Sequence, residues 1–280
     1  MKERKHVILD HPIIGYFLLW LFGMIFVTLG GILDGQLAKV IDGYGTVQEI
    51  NGVTSVSASG IGTAVGSIAA IVLFYLWFRP TFKGMLKPKA ILSGLLMMLP
   101  CLLIHYIGSI VSITILGSGS VFIAFLRAFA PGFGEETAFR GLGVANYMRT
   151  VKSEKGVLVI FLISSIFFGG YHITNIFAGA DPLTSALQSV YAIGMGMVFG
   201  AAYLRTGSLL PSIIAHLSVD FLEFVRADLN GTGGILTGMT IGDWITIVAG
   251  ALGFVLGLYL VRPSKRGEII KLWREKWCLE

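Results

Sequence analysis

An all-α fold, a polytopic bundle of about eight membrane-spanning helices, is what this sequence predicts, and three observations carry the expectation. Of the 280 residues, 55% are hydrophobic and only 13% charged, against roughly a quarter charged in a soluble domain. The apolar residues gather into runs of about twenty, the length a helix needs to span roughly 30 Å of hydrocarbon. Lys and Arg collect between those runs and mostly on alternate connections, as they do in membrane proteins with basic cytoplasmic loops. A soluble protein is excluded. The longest polar connection, from about Asp34 to Ser57, is too short to hold a core of its own, so residues 1–280 read as a single integral membrane domain.

Taken in order, the first run, 13–33, follows Met1-Lys2-Glu3-Arg4-Lys5. It opens like a signal peptide, yet it is too long and lacks a small-residue cleavage site, so it reads as a retained span. The second run covers 58–78. The third and fourth, 90–116 and 120–147, exceed twenty residues and carry Pro100 and Pro131. Proline removes a backbone donor and clashes with the preceding turn, which predicts tilted, kinked or broken helices there. The fifth to eighth runs cover 157–177, 184–204, 208–225 and 241–261. Ala192, Gly196 and Gly200 form a small-residue packing stripe on the sixth.

The tail 264–280 mixes Lys and Arg with Ile269, Leu272, Trp273 and Trp277, and reads as a cytoplasmic amphipathic helix on an anionic leaflet. With both termini in the cytoplasm, 17 of the 21 Lys and Arg residues fall on the cytoplasmic side, and only Lys39 and Arg226 on the far side. The net charge of +5 is therefore a topology signal, and nucleic acid is not an expected partner. Cys101 sits in an apolar run and Cys278 in the tail, so no disulfide framework is implied.

Ionisable residues inside predicted spans carry the functional information, because each costs about 2.5 to 3.5 kcal/mol at a helix centre. The fourth span holds Arg127, Glu135, Glu136 and Arg140, the fifth His172, the seventh His216, Asp220 and Glu223, and the third His105. Glu136 and Arg140 are four apart and share a helix face, as do His216 and Asp220. Glu135 is rotated by about 100° from Glu136 and points elsewhere. In Phe168-Gly169-Gly170-Tyr171-His172 two glycines permit close approach of a neighbour. Arg127 and Glu223 read as snorkelling near span ends, and His105 as a core or interface histidine.

The remaining constellation, Glu135, Glu136, Arg140, His172, His216 and Asp220, can activate water in two ways. A carboxylate can act as general base with a histidine partner. Alternatively, His172 and His216 with Glu135 or Asp220 can hold a zinc ion whose water ionises. A proton-coupled carrier and a non-catalytic immunity or scaffold protein are the competing classes, although no inverted repeat of the transporter kind is visible.

The segments Gly134-Glu135-Glu136-Thr137-Ala138-Phe139-Arg140-Gly141, Phe168 to His172, and His216-Leu217-Ser218-Val219-Asp220 resemble the three motifs of the CAAX prenyl protease and bacteriocin-processing (CPBP, or Abi) family. The resemblance covers a core at about 120–225. It implies an intramembrane endopeptidase acting on a membrane-associated peptide or protein. By position it implies that Glu135 with His172 activates water, Glu136 with Arg140 holds the site, and His216 with residue 220 stabilises the oxyanion. Position 220 is Asp where many members have Asn, and an ionised Asp accepts hydrogen bonds only. The compact chain resembles the prokaryotic members, which implies a prokaryotic cell membrane and a role in protein maturation or bacteriocin immunity.

Overall fold

The computed structural model describes residues 10–50, 53–79, 81–178, 180–226 and 239–279, so the basic cluster of Lys2, Arg4 and Lys5 lies outside the described residues. Helix α1, Pro12–Leu37, opens on a proline whose fixed φ suits a first helical turn. An antiparallel hairpin follows, β1 (Gly45–Ile50) with β2 (Val53–Ala58). Helices α2 (Ile61–Phe78) and α3 (Ile91–Leu116) come next, the latter continuous through Pro100. The fourth apolar run breaks as Pro131 predicts, into α4 (Val121–Phe129), a π-helical segment (Ala130–Gly141) and α5 (Leu142–Thr150). Helix α6 (Glu154–Tyr171) passes into a 3-10 turn (His172–Ala178). Four helices complete the described chain, α7 (Pro182–Thr206), α8 (Leu210–Val225), α9 (Ile241–Leu260) and α10 (Pro263–Lys276).

The polytopic helical bundle is borne out, with one addition, the hairpin. Its strands are rich in Val, Thr and Ile, which suit a pleated ribbon, where the sequence reading saw only a polar connection. Among the described residues six helices, α1, α2, α3, α6, α7 and α9, are long and apolar enough to cross a membrane. The other two predicted spans are the broken fourth segment and α8, which has only 16 residues.

Backbone-to-backbone contact sets the helix crossings. A Cβ on Gly30 would lie 2.3 Å from the Gly62 carbonyl oxygen, and one on Gly66 the same distance from that of Phe26, so α1 and α2 touch without intervening side chains. Asp34 of α1 seals this crossing: Oδ1 accepts from the Gly62 amide at 2.8 Å and Oδ2 from the Thr63 amide at 2.8 Å. A carboxylate from one helix thus caps the next, whose own N-cap is a glycine. Helix α7 is the central element. Its residues from Gly194 to Leu204 are all buried, as expected for a helix apolar on every side. A Cβ on Gly194 would stand 2.0 Å from the Gly250 carbonyl oxygen of α9. The stripe of Ala192, Gly196 and Gly200 faces elsewhere, Gly196 and Gly200 toward α6.

The C-terminal helix spends its apolar face on the protein. Trp273 and Trp277 are 0% and 1% exposed. Their indole N–H groups donate to the carbonyl oxygens of Leu204 at 3.0 Å and Ala145 at 2.9 Å, and the Trp277 ring stacks on Phe82. The sequence reading gave these tryptophans to the leaflet. The structure gives them to α7 and α5, because an indole buried in protein satisfies its N–H on a carbonyl as well as a headgroup would. Lys276 Nζ donates to the Gly84 carbonyl oxygen. Burial, with Lys87 and Lys83 nearby, holds the Lys276 ammonium down at about 8.

Two outcomes follow. Trp277→Ala lowers stability by about 3 to 5 kcal/mol, read as the loss in unfolding free energy of detergent-solubilised protein. Because the folded Lys276 titrates lower than the unfolded chain's lysine, the unfolded state binds more protons between about pH 8 and 10.5. Stability therefore rises with pH across that window. Lys276→Met removes that rise, measured as thermal midpoint against pH for the two proteins.

Candidate active site

The π-helical segment carries the first side chains of the site. Pro131 contributes no backbone N–H, and Gly132 and Gly134 contribute no side chain, which lets the segment press on its neighbours. A Cβ on Gly132 would lie 2.9 Å from Leu217 Cβ of α8, and one on Gly134 would lie 3.0 Å from Thr63 Cγ2 of α2. Widened π turns of this kind recur at functional sites. From this segment Glu136 and Arg140 turn inward, both fully buried, and Arg140 Nη1 donates to Glu136 Oε1. The guanidinium lies over the Phe168 ring at 4.0 Å and near that of Phe199 at 5.5 Å, geometry that favours a desolvated cation. Gly196 clears the space: a Cβ there would meet Phe168 Cδ1 at 2.9 Å and Arg140 Nη2 at 3.1 Å.

Helix α8 brings the third partner. His216 Nδ1 lies 2.9 Å from Glu136 Oε1. An ionised carboxylate only accepts, so Nδ1 is the protonated nitrogen and donates. That fixes the ring and aims Nε2 at two further carboxylates, Asp220 Oδ2 at 3.5 Å and Glu135 Oε2 at 3.8 Å. Glu135 is 33% exposed and Asp220 23%, whereas Glu136 is fully enclosed. The predicted divergence of Glu135 from Glu136 is what separates a cavity-facing carboxylate from a buried one.

His172 is the first residue of the 3-10 turn and packs its ring edge-on to Phe168 at 5.4 Å. It lines the same cavity, of about 760 Å³, as Glu135, His216 and Asp220. The resemblance implies that Glu135 and His172 act together on a water; the two share the cavity, and the imidazole within 4 Å of Glu135 is His216. Of the two glycines before His172, Gly169 makes the close approach, with Ile193 of α7, while nothing lies within 4 Å of a Cβ on Gly170.

Three residues set aside in the sequence also appear here, two of them on the cavity wall. Glu223 does not snorkel: Oε1 accepts from Ser109 Oγ at 2.7 Å and faces His105 Nε2 at 3.5 Å, while Oε2 pairs with Arg226 at 3.2 Å. Arg226 in turn pairs with Asp243. Arg127 is buried too, its guanidinium over Phe224 at 4.2 Å rather than reaching headgroups. Distance from a span end was a poor guide to depth, because α8 is short and its end is tied to the start of α9 by the Arg226–Asp243 pair. His105 is a core histidine as expected, yet Tyr191 Oη meets its Nδ1 at 2.8 Å, and His105, Tyr191 and Glu223 all line the cavity. Ser109, four residues after His105, was a readable sign of this network; the pairing with Tyr191, 86 residues away, had no local signal.

For a metal, His216 would offer Nε2, since Nδ1 donates to Glu136. Among the described residues no group of three His, Cys, Asp or Glu side chains is arranged to hold an ion.

Residues 117–222 match the family model described as type II CAAX prenyl endopeptidase Rce1-like. The match contains Glu135, Glu136, Arg140, His172, His216 and Asp220, and it supports the CPBP family resemblance carried by the three motifs. No curated protein matches the chain.

Removing one member of the buried pair leaves the other uncompensated. Glu136→Leu and Arg140→Leu each destabilise by about 3 to 5 kcal/mol, and the double variant loses clearly less than the sum. A double-mutant cycle of unfolding free energies checks this, and additive losses would contradict it.

Proposed function

We propose that the chain is an intramembrane endopeptidase that hydrolyses a peptide bond in a membrane-associated protein or peptide. The match to a peptidase family supports the reaction class. One observation carries the assignment to these residues. Two part-exposed carboxylates, Glu135 and Asp220, meet at Nε2 of a histidine whose other nitrogen is held by a buried Glu136–Arg140 pair.

In the proposed reaction Glu135 takes a proton from a cavity water as its oxygen adds to the scissile carbonyl carbon, which becomes tetrahedral. His216, protonated on both nitrogens, donates Nε2–H to the developing oxyanion, a donor preorganised by the Nδ1 bond to Glu136. Collapse of the intermediate breaks the C–N bond, and Glu135 returns its proton to the leaving amine. Asp220, an acceptor when ionised, does not donate to the oxyanion; its carboxylate, 3.5 Å from Nε2, favours the protonated form of His216. His172, which lines the same cavity as Glu135, flanks the water. Arg140 holds Glu136 and touches no substrate. Both termini in the cytoplasm of a prokaryotic cell belong to the same proposal, on the evidence of the basic connections.

The test compares peptide termini in membranes from cells carrying the intact protein and cells carrying Glu135→Gln at equal expression. The expected result is a set of termini present only with the intact protein, with at least a hundredfold loss of product for Glu135→Gln and a similar loss for His172→Ala. Identical termini, with the variants folded, would transfer the site to a non-catalytic immunity or scaffold protein. pH-dependent flux in liposomes without any peptide product would transfer it to a proton-coupled carrier. Extraction with a chelator leaves cleavage unchanged under this mechanism. Loss on chelation and recovery with Zn2+ would instead make His172, His216 and a carboxylate metal ligands.

A further inference from the structure

Asn175 and Gln188 line the cavity shared by Glu135, His172 and His216, and the chemistry above uses neither. Asn175 lies in the 3-10 turn three residues past His172. At three residues per turn, both side chains leave the same edge. Gln188 lies on α7, and Asn175 Nδ2 donates to Gln188 Oε1 at 2.9 Å, tying the turn to the central helix. Each amide side chain carries one carbonyl and one NH2 group. A single bond between two of them therefore leaves one carbonyl and one NH2 group uncommitted, on two adjacent side chains. Exchanging oxygen and nitrogen in both amides reverses the tie and leaves the same pair of free groups, so the argument does not depend on how the amides are oriented.

One donor beside one acceptor is the complement of a single residue in an extended chain, whose own N–H and C=O point to the same side, as antiparallel partners show by exchanging both bonds. A helix has no such pair to offer, since its groups are bonded internally. A substrate segment unwound for cleavage at membrane depth must find new partners for its freed backbone groups, because lipid supplies none. The lining that α1 supplies, Met24, Val27, Thr28, Gly31 and Ile32, is mostly apolar and offers an extended backbone few partners.

Resting on the proteolytic reading above, we propose that the Asn175–Gln188 amide pair is a backbone-binding subsite, holding one residue of an extended, unfolded peptide segment beside the scissile bond. It reads the chain's conformation and leaves the side chain at that position unread.

The experiment uses the full chain in lipid nanodiscs and a synthetic peptide spanning a cleavage site found in the membrane comparison. Thioamide versions of that peptide, in which sulfur, a poor acceptor, replaces one backbone carbonyl oxygen at a time, are tested alongside over about three residues on each side of the cut, the scissile carbonyl excepted. Gln188→Glu keeps an oxygen to accept from Asn175 and removes the free donor, and Asn175→Asp does the same in the reversed amide orientation. One of these variants raises KM about tenfold with kcat retained, the loss of one good hydrogen bond. At one peptide position the thioamide raises KM for the natural protein and adds nothing for that variant, because both changes remove the same hydrogen bond. Unchanged KM in both variants, or thioamide penalties that are the same with and without the free donor, would overturn the subsite. A fall in kcat with KM unchanged would make the pair a support for His172 and overturn it as well. If the natural protein yields no Glu135-dependent product at all, the proteolytic reading fails first and the subsite with it.

Discussion

Enclosing the Glu136–Arg140 ion pair is the demand from which most of this architecture follows. Two charges removed from water inside a bilayer lose several kcal/mol of solvation each, and their mutual attraction offsets this only when geometry and additional partners are good. Each additional partner here comes from a different helix. His216 of α8 gives Glu136 a second hydrogen bond, Phe168 of α6 lies against the guanidinium, and Phe199 of α7 approaches it from a third side. Gly196 must lack a side chain for that stack to close. Helices α6, α7 and α8 are thus held at the distances that one arginine and one carboxylate require. The ring orientation of His216, on which the proposed chemistry depends, is a consequence of the same bond.

The two segments carrying most of the charge are also the two that fail as membrane spans on their own. The broken fourth run and the 16-residue α8 are shielded by longer apolar helices whose outer residues, such as Leu29, Val72, Leu103 and Val255, are exposed as lipid-facing residues should be. This division lets the inner segments depart from regular α-helix without exposing backbone to hydrocarbon. The π segment uses that freedom: its own glycines, Gly132, Gly134 and Gly141, press on neighbouring helices, and its first residue meets Gly60, where a Cβ would stand 2.1 Å from the Ala130 nitrogen. The docked C-terminal helix adds a cover of two buried tryptophans beneath α5 and α7.

How much of this was legible in the sequence divides by distance along the chain. The apolar runs, the break at Pro131, the Glu136–Arg140 pair and the shared face of His216 and Asp220 all rest on local spacing, and each is present. Relations between distant segments were not legible. Nothing local states that the imidazole at Glu135 is His216, 81 positions on, instead of His172, or that Trp277 finds its carbonyl at Ala145, 132 positions away. Glu223 was misread for a related reason. Its depth depends on α3 and α9 supplying Ser109 and, through Arg226, Asp243, and not on its place within α8. The hairpin escaped because its strands are short and interrupt Val and Ile with Thr, Ser, Gln and Glu.

The carboxylates that protein does not enclose say what fills the cavity. Glu136 is compensated by Arg140, and Asp243 by Arg226, all four buried. Glu135, Asp220 and Glu223 retain exposures of 33%, 23% and 22%, and no Lys or Arg lines the cavity with them among the described residues. Carboxylates so close together stay ionised only if solvated, since neither His216 nor Arg226 alone balances three of them. A cavity of about 760 Å³ bounded by such groups is large enough and polar enough to hold water at membrane depth. In the proposed reaction the water that solvates these carboxylates is also the water nearest to Glu135, so the group that would activate water and the means of bringing water to it are the same set of side chains.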